Sequence, residues 1–155
     1  MSVWRIIPAD AAHIAPIAAD MREADRREVW ASHRHEPEQA LVASLERSDL
    51  AWTCLVDGVA AFMWGAARQG SLITFTGSPW LLATPRIEMV RRDFLRRSRF
   101  YVDVMQARFP RLENYAHAGN RLSLRWLKWC GFSVADSPTM LNNEPFYLFW
   151  RNAHV

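Results

Sequence analysis

The segment Asn120-Arg121-Leu122-Ser123-Leu124-Arg125-Trp126-Leu127-Lys128-Trp129-Cys130-Gly131-Phe132 decides how the chain is read. Asn120 ends one element, and a helix follows it. The following residues contain neither Gly nor Pro and space Leu, Trp and Cys as one amphipathic helix. Gly131 is the residue type that ends a helix in the left-handed region, and Phe132 returns the chain to a strand. A strand, a short helix and a strand therefore follow one another here.

Working outward, Val3 to Ile7 reads as a first strand closed by Pro8, and Asp10 caps a short turn. Pro16 is hard to place inside a continuous helix, so the main N-terminal helix is expected from about Pro16 to Ser32, with Ile17, Met21, Ala24 and Glu28 at helical spacing. A second helix starts at Pro37, whose missing N–H suits a first turn, and ends near Arg47. Ala51–Val56 and Val59–Ala67 are strands joined by Asp57-Gly58, a dipeptide that accepts positive φ and matches the twist of a hairpin. Gln69-Gly70 turns the chain into Leu72–Thr76. Gly77-Ser78-Pro79 is expected to interrupt that strand as a bulge or splay before Trp80-Leu81-Leu82.

Thr84-Pro85 reads as an N-cap with Pro at the first helical position, opening a long helix to Arg108 that Pro110 ends. Ile87, Val90, Phe94, Tyr101 and Met105 form its core stripe; Arg92, Arg96, Arg99 and Asp103 form its wet one. Strands at Leu112–His117, Phe132–Asp136 and Phe146–Arg151 complete the chain. The order β-α-α-β-β-β-α-β-α-β-β predicts an α/β (α+β) domain. Its sheet is mixed, mainly antiparallel and bent, with one parallel β-α-β crossover between Leu72–Leu82 and Leu112–His117, flanked by helices.

The 155 residues suit a single domain, 1–155, with a real core, and half of them are hydrophobic, which excludes disorder. No apolar run approaches the ~18 residues of a membrane span. The N-terminus lacks the layout of a signal peptide. Cys54 and Cys130 are the only cysteines; one falls in a strand and one at a helix end, so both read as buried thiols of a reducing compartment. A cytoplasmic location follows, with later packaging as the other possibility. Of 19 basic residues 18 are Arg, interspersed with 16 acidic ones; no basic motif interleaved with aromatics marks a nucleic-acid site, and that class of partner ranks last.

The element order, with Asp57-Gly58 and Asn120 to Phe132, resembles the GNAT acyltransferase fold over nearly the whole chain. A closer resemblance is to small GNAT-like proteins of tailed phages and prophages, some of them internal virion proteins. It is carried by Met21-Arg22-Glu23-Ala24-Asp25-Arg26-Arg27-Glu28, Trp80-Leu81-Leu82-Ala83-Thr84 and Asn120 to Phe132. The resemblance implies a bacterial host and an acyl-CoA such as acetyl-CoA, held weakly in the gap where one strand splays from the next. It also implies a small amine or a protein as acceptor. The matching positions are Trp80, Leu81 and Leu82 on the strand edge, Thr84 and Arg86 on the loop, and Asn120 at the following helix.

Two departures from the family pattern matter. No glycine stands between Gly77 and Gly119, so the Gly-rich loop that lets backbone approach pyrophosphate is absent, and Arg86 is its expected substitute. The family's Tyr, which protonates the departing thiolate, corresponds to Leu127. His117 and Ser123 are the remaining candidates for catalysis, His117 for its titration range and Ser123 for a hydroxyl near the coenzyme sulfur. These departures define the alternative: a noncatalytic virion or assembly protein that keeps the fold to bind virion or host proteins. His33-Arg34-His35-Glu36 has no third well-spaced metal ligand, so no metal is expected. Arg22, Asp25 and Glu28 fall at i, i+3 and i+6, where they would border the acceptor cleft or simply pair on a helix surface.

Overall fold

The structure, a computed structural model, describes residues 2–70 and 75–154. The expected strand at Leu72–Thr76 lies outside them as far as Thr74. Among the described residues the strands are β1 (Trp4–Pro8), β2 (Ser48–Val56), β3 (Val59–Arg68), β4 (Thr76–Ala83), β5 (Arg111–His117), β6 (Ser133–Val134), β7 (Thr139–Leu141) and β8 (Glu144–Asn152). The helices are α1 (Ile14–Ala19), α2 (Glu23–His33), α3 (Pro37–Arg47), α4 (Arg91–Arg108) and α5 (Arg121–Trp129). The sheet runs β1-β2-β3-β4-β5-β8-β6, with β7 also on β8, and every pair is antiparallel except β4–β5. The mixed, mainly antiparallel sheet with one parallel crossover is the architecture read from the sequence.

Two apolar layers sandwich the sheet. Ile14, Ile17, Met21 and Leu41 pack with Met63 and Leu82 on one face. Phe94, Val102 and Met105 of α4, with Leu127 and Cys130 near α5, pack with Phe62, Trp64 and Leu112 on the other. The Asp57-Gly58 hairpin has φ of +50° and +79°, as its dipeptide predicts. Gly131 (φ +87°) ends α5: its N–H donates to Lys128 O and that of Phe132 to Leu127 O, so two orphan carbonyls are satisfied and Phe132 returns to the core. Cys54 and Cys130 are free and buried, and burial pushes the Cys54 thiol up to about 12.

Four readings need correction. The N-terminal helix is not continuous from Pro16: a 3-10 turn capped by Asp10 leads into α1, the chain breaks at Asp20–Arg22, and α2 begins at Glu23. Asp25 rather than Ala24 then faces inward, because the break resets the helical phase.

Gly77-Ser78-Pro79 forms no bulge, since β4 pairs with β3 without a slip from Gly77↔Arg68 to Ala83↔Phe62; the expected splay lies on the other edge, where β4 leaves β5 after Gly77. Gly77 is small because Phe109, fully buried, sits on it; a Cβ there would lie 2.5 Å from the ring. The bulges are elsewhere, at Asp49 in β2 and Ala61 in β3, each an extra residue between paired positions.

The long helix does not start at Pro85. Pro85–Met89 form a 3-10 turn, and α4 begins at Arg91. Thr84 does not cap that turn with its side chain, since its Oγ1 donates to Ala61 O at 2.7 Å.

The fourth correction is β7, which the sequence reading lacked. It is joined to β8 by Asn142-Asn143, both at positive φ, a tight-turn signal of the same kind as Asp57-Gly58.

Candidate functional site

β4 and β5 pair only at Thr76↔Arg111 and Gly77↔Leu112, then part. Backbone groups alternate sides along a strand, and Thr84 N–H and Thr76 O both face β3, so Pro79, Leu81 and Ala83 present theirs to the gap. Most of these groups are already engaged by the chain itself. Pro79 has no N–H, and its carbonyl accepts Asn114 Nδ2 at 2.9 Å. Ala83 O accepts the Arg22 N–H at 2.8 Å, and Ala83 N–H donates to Asp25 Oδ2 at 3.0 Å.

The β5 edge is treated alike. Gln69 Nε2 donates to Glu113 O at 3.1 Å, Asn114 Oδ1 accepts Tyr115 N–H at 2.8 Å, and Glu28 Oε1 accepts His117 N–H at 3.0 Å. Between these the N–H and C=O of Leu81 face the gap with no partner among the described residues. A splayed parallel pair thus has both lips tied, by Asn114, Gln69, Arg22 and the α2 residues Asp25 and Glu28, with the Leu81 N–H and C=O left open.

The tie is electrostatically unusual. Asp25 is 3 % exposed and takes a fork from Arg22 Nε and Nη2, both at 3.0 Å. Burial outweighs that fork and raises its pKa above the usual carboxylate value. Burial raises Glu28 as well, opposed by bonds from the His117 N–H and from Asn120 Nδ2 at 3.2 Å, and reinforced by the Asp25 charge. Two carboxyls whose pKa burial raises therefore border the gap, Asp25 bonded to β4 and Glu28 to β5.

Trp80 and Leu82 send their side chains to the α1/α3 layer, where Trp80 Nε1 donates to Ser48 Oγ at 2.8 Å; Leu81 packs toward α4 and α5. Thr84 is buried against Ala61, and Arg86 lies in the 3-10 turn rather than at the start of the long helix. Asn120 caps α5 through Ser123 N–H while its amide holds Glu28, so cap and gap share one residue.

The His117 ring is held at both nitrogens. Gly119 N–H donates to Nδ1 at 3.0 Å, which leaves the proton on Nε2, 2.8 Å from Glu144 Oε1. Ser123 lies in the first turn of α5, its hydroxyl without a protein partner among the described residues. Leu127 is 6 % exposed and belongs to the core.

Asn114 and Gln69 escaped the sequence reading. The only hint was an uncharged amide within a strand and one beside a turn, and such residues are ordinary at both places. The place of Arg91 and Arg92 at the head of α4 was missed because the helix start was expected at Pro85. With Glu88, Val90 and Asp93 they border an open groove of about 420 Å³ at the head of α4, where first-turn N–H groups favour an anion. The fork of Arg91 is drawn to Glu88 at 3.4 Å, while Arg92 is exposed with no ion pair among the described residues. His33 and His35 stack at 5.6 Å, and among the described residues no group of three or more His, Cys, Asp or Glu is arranged to hold a metal. No helix among them is long and apolar enough to cross a membrane.

An open strand amide and a cationic helix head suit pantetheine and diphosphate respectively; the capped groups at Pro79 and Ala83 and the missing glycines reduce the number of bonds available.

No protein-family model matches the chain, and no curated protein matches it. Solved structures do. A putative acetyltransferase from Salmonella typhimurium, solved with acetyl-CoA, superposes with a TM-score of 0.67 at 15 % identity over 96 % of this chain and 93 % of that one. Ard1 from Thermoplasma volcanium gives 0.65 at 16 % identity over 98 % and 99 %, and a GNAT-family acetyltransferase from Streptococcus pneumoniae gives 0.61 at 13 % over 97 % and 100 %. At these identities the likeness establishes architecture: the chain has the GNAT acetyltransferase fold.

Proposed function

We propose that the chain binds an acyl-CoA in the β4–β5 gap and transfers the acyl group to an amine. The observation that carries this reading is the parting of β4 from β5 with the Leu81 amide left open between capped neighbours. In this reading pantetheine bonds to Leu81 backbone, and the diphosphate reaches the first-turn N–H groups of α4 with Arg91 and Arg92. Arg86, one turn earlier, supplies long-range attraction. Acyl-CoA when bound supplies the electrophilic thioester carbon. An amine attacks it, the new C–N bond forms as the C–S bond breaks, and the thiolate leaves.

This chain's own residues orient that exchange. Glu28, half-buried beside the His117 N–H, stands where an amine would approach, and its carboxylate accepts the proton the amine loses. The leaving thiolate lacks a Tyr at position 127, and His117 reaches it only by releasing Gly119 or Glu144. Transfer without an acid forgoes typically ~10²–10⁴-fold.

Calorimetry with acetyl-CoA tests the reading. Binding that weakens about ten- to a hundredfold in Arg92→Ala is expected for loss of one charge-assisted bond, with a smaller loss in Arg86→Ala. Absence of binding at millimolar acetyl-CoA would reject it.

A second reading is favoured by the capped lips. Six of the backbone groups facing the gap already have partners within the chain, which is the arrangement of a slot kept closed. Under that reading the chain is a noncatalytic binding module of a virion or assembly. The phage kinship itself rests on the three sequence stretches quoted above.

A further inference from the structure

The basic residues look dispersed along the chain, but the fold collects them. Residues 85–135 hold eleven Arg and Lys against four Asp and Glu, a net of +7; all other residues together carry −4. No acidic residue occurs in the 22 positions between Glu113 and Asp136. Most of that excess stands on α4 and α5, which pack side by side through Trp126 Nε1 on Ser98 Oγ at 3.2 Å.

Each helix exposes a cationic stripe at i, i+4, i+7: Arg92, Arg96 and Arg99 on α4, and Arg121, Arg125 and Lys128 on α5. Each stripe spans about 10 Å of helix axis at 1.5 Å per residue. Only Arg96 has an acidic partner among the described residues, Asp93 at 3.9 Å, and both are exposed. An aromatic seam joins the stripes. Arg99 stacks on the Trp129 ring at 3.9 Å from its centroid and donates to Trp129 O, while Trp129 stays 52 % exposed. Phe100 lies beside the α4 stripe at 63 % exposure.

We infer that this outer face of α4 and α5 binds single-stranded nucleic acid, with phosphates along the two stripes and a base on the open face of Trp129. Two considerations favour a flexible polyanion over an acidic protein. Guanidinium forks match phosphate oxygens, and five of the six cations have no carboxylate to displace. A tryptophan already backed by a guanidinium offers a flat, preset platform of the kind that stacks bases without sequence preference. The face does not include the gap and shares only Arg92 with the acyl-CoA reading, so the inference rests on the other five cations and Trp129. A second copy is the competing occupant, because α3 exposes Glu38, Val42 and Glu46.

Fluorescence anisotropy with labelled 20-residue oligothymidylate and oligouridylate, at 50–300 mM salt, tests it. If about six phosphates are engaged, the log–log salt slope should approach about −4, at ~0.7 per phosphate for single strands. Replacing Arg96, Arg121 and Arg125 by Gln should flatten it by about 2 and weaken binding about a hundredfold near 0.1 M salt. Trp129→Ala should weaken binding roughly five- to a hundredfold, with Trp129→Phe recovering most of it, circular dichroism and melting serving to check folding.

No binding at 50 mM salt overturns the inference, as does binding unchanged in the triple variant. Equal competition by heparin together with indifference to Trp129→Ala reduces the face to a general polyanion surface and refutes the nucleic-acid assignment. Light scattering that shows oligomers dissolved by Glu38→Gln with Glu46→Gln would assign the face to a second copy instead.

Discussion

Asp25 ties α2 to the tail of β4, and replacing it should expose how much of the fold hangs on that tie. Asp25→Ala strands the buried N–H of Ala83 and releases the Arg22 fork, removing three bonds at 3.0 Å. Breaking a buried ion pair by deleting one member costs ~3–5 kcal/mol. The Arg22 side chain keeps 21 % exposure and can turn to water, so the lower end, about 3 kcal/mol, is expected. Asp25→Asn keeps the size and one acceptor and should cost about 1–2 kcal/mol.

Urea unfolding followed by tryptophan fluorescence measures both. At a slope of ~1–3 kcal/mol per molar, the Ala variant should shift the midpoint down by roughly 1–3 M without changing the slope. The pH dependence has a definite sign. Because burial raises the folded pKa of Asp25, wild type should gain stability relative to Asp25→Asn as pH falls through that raised value, the gain being complete below the unfolded carboxyl range; it is lost as pH rises. An Ala midpoint within about 0.2 M of wild type, or a pH trend of the opposite sign, would refute the view of Asp25 as a buried strut.

Gly77→Ala should destabilise by at least ~1–3 kcal/mol, as overpacking does, because the new methyl meets the buried Phe109 ring at 2.5 Å; a melting temperature equal to wild type would remove that claim. Gly131→Val should cost at least ~1 kcal/mol from left-handed strain rather than from crowding, since the nearest atom to its Cβ is Arg151 Nε at 3.5 Å; Gly131→Asn should recover part of the loss in the same thermal melt. Leu127→Tyr adds a hydroxyl to a side chain 6 % exposed, so stability should fall by ~1–3 kcal/mol; any basal acyl transfer should rise only where the hydroxyl reaches the sulfur, which a coupled thiol-release assay measures.

Local chemistry made several features legible without coordinates. Asp57-Gly58 specified a hairpin because both residues tolerate positive φ, and Asn120 with Gly131 bounded α5 because caps are short-range hydrogen-bond problems. The parallel crossover followed from the length of chain between β4 and β5. Helix phase was less legible. A break of three residues at Asp20–Arg22 turned Asp25 inward and Ala24 outward, and a 3-10 turn moved the head of α4 from Pro85 to Arg91, taking the groove bordered by Arg91 and Arg92 with it.

What the sequence by itself determined, then, was the set of elements and their order, since periodicity, caps and tight turns act over a few residues. Tertiary structure alone decided the character of the site. Gly77 reads as a strand breaker until Phe109 is seen on it. Arg22, Asp25 and Glu28 read as a solvated helix face until that face is placed against Ala83 and His117, 58 and 89 positions away in the chain. Hydrogen bonds across such separations depend on how layers pack, and no local spacing encodes which backbone groups of a splayed strand the chain will fill for itself.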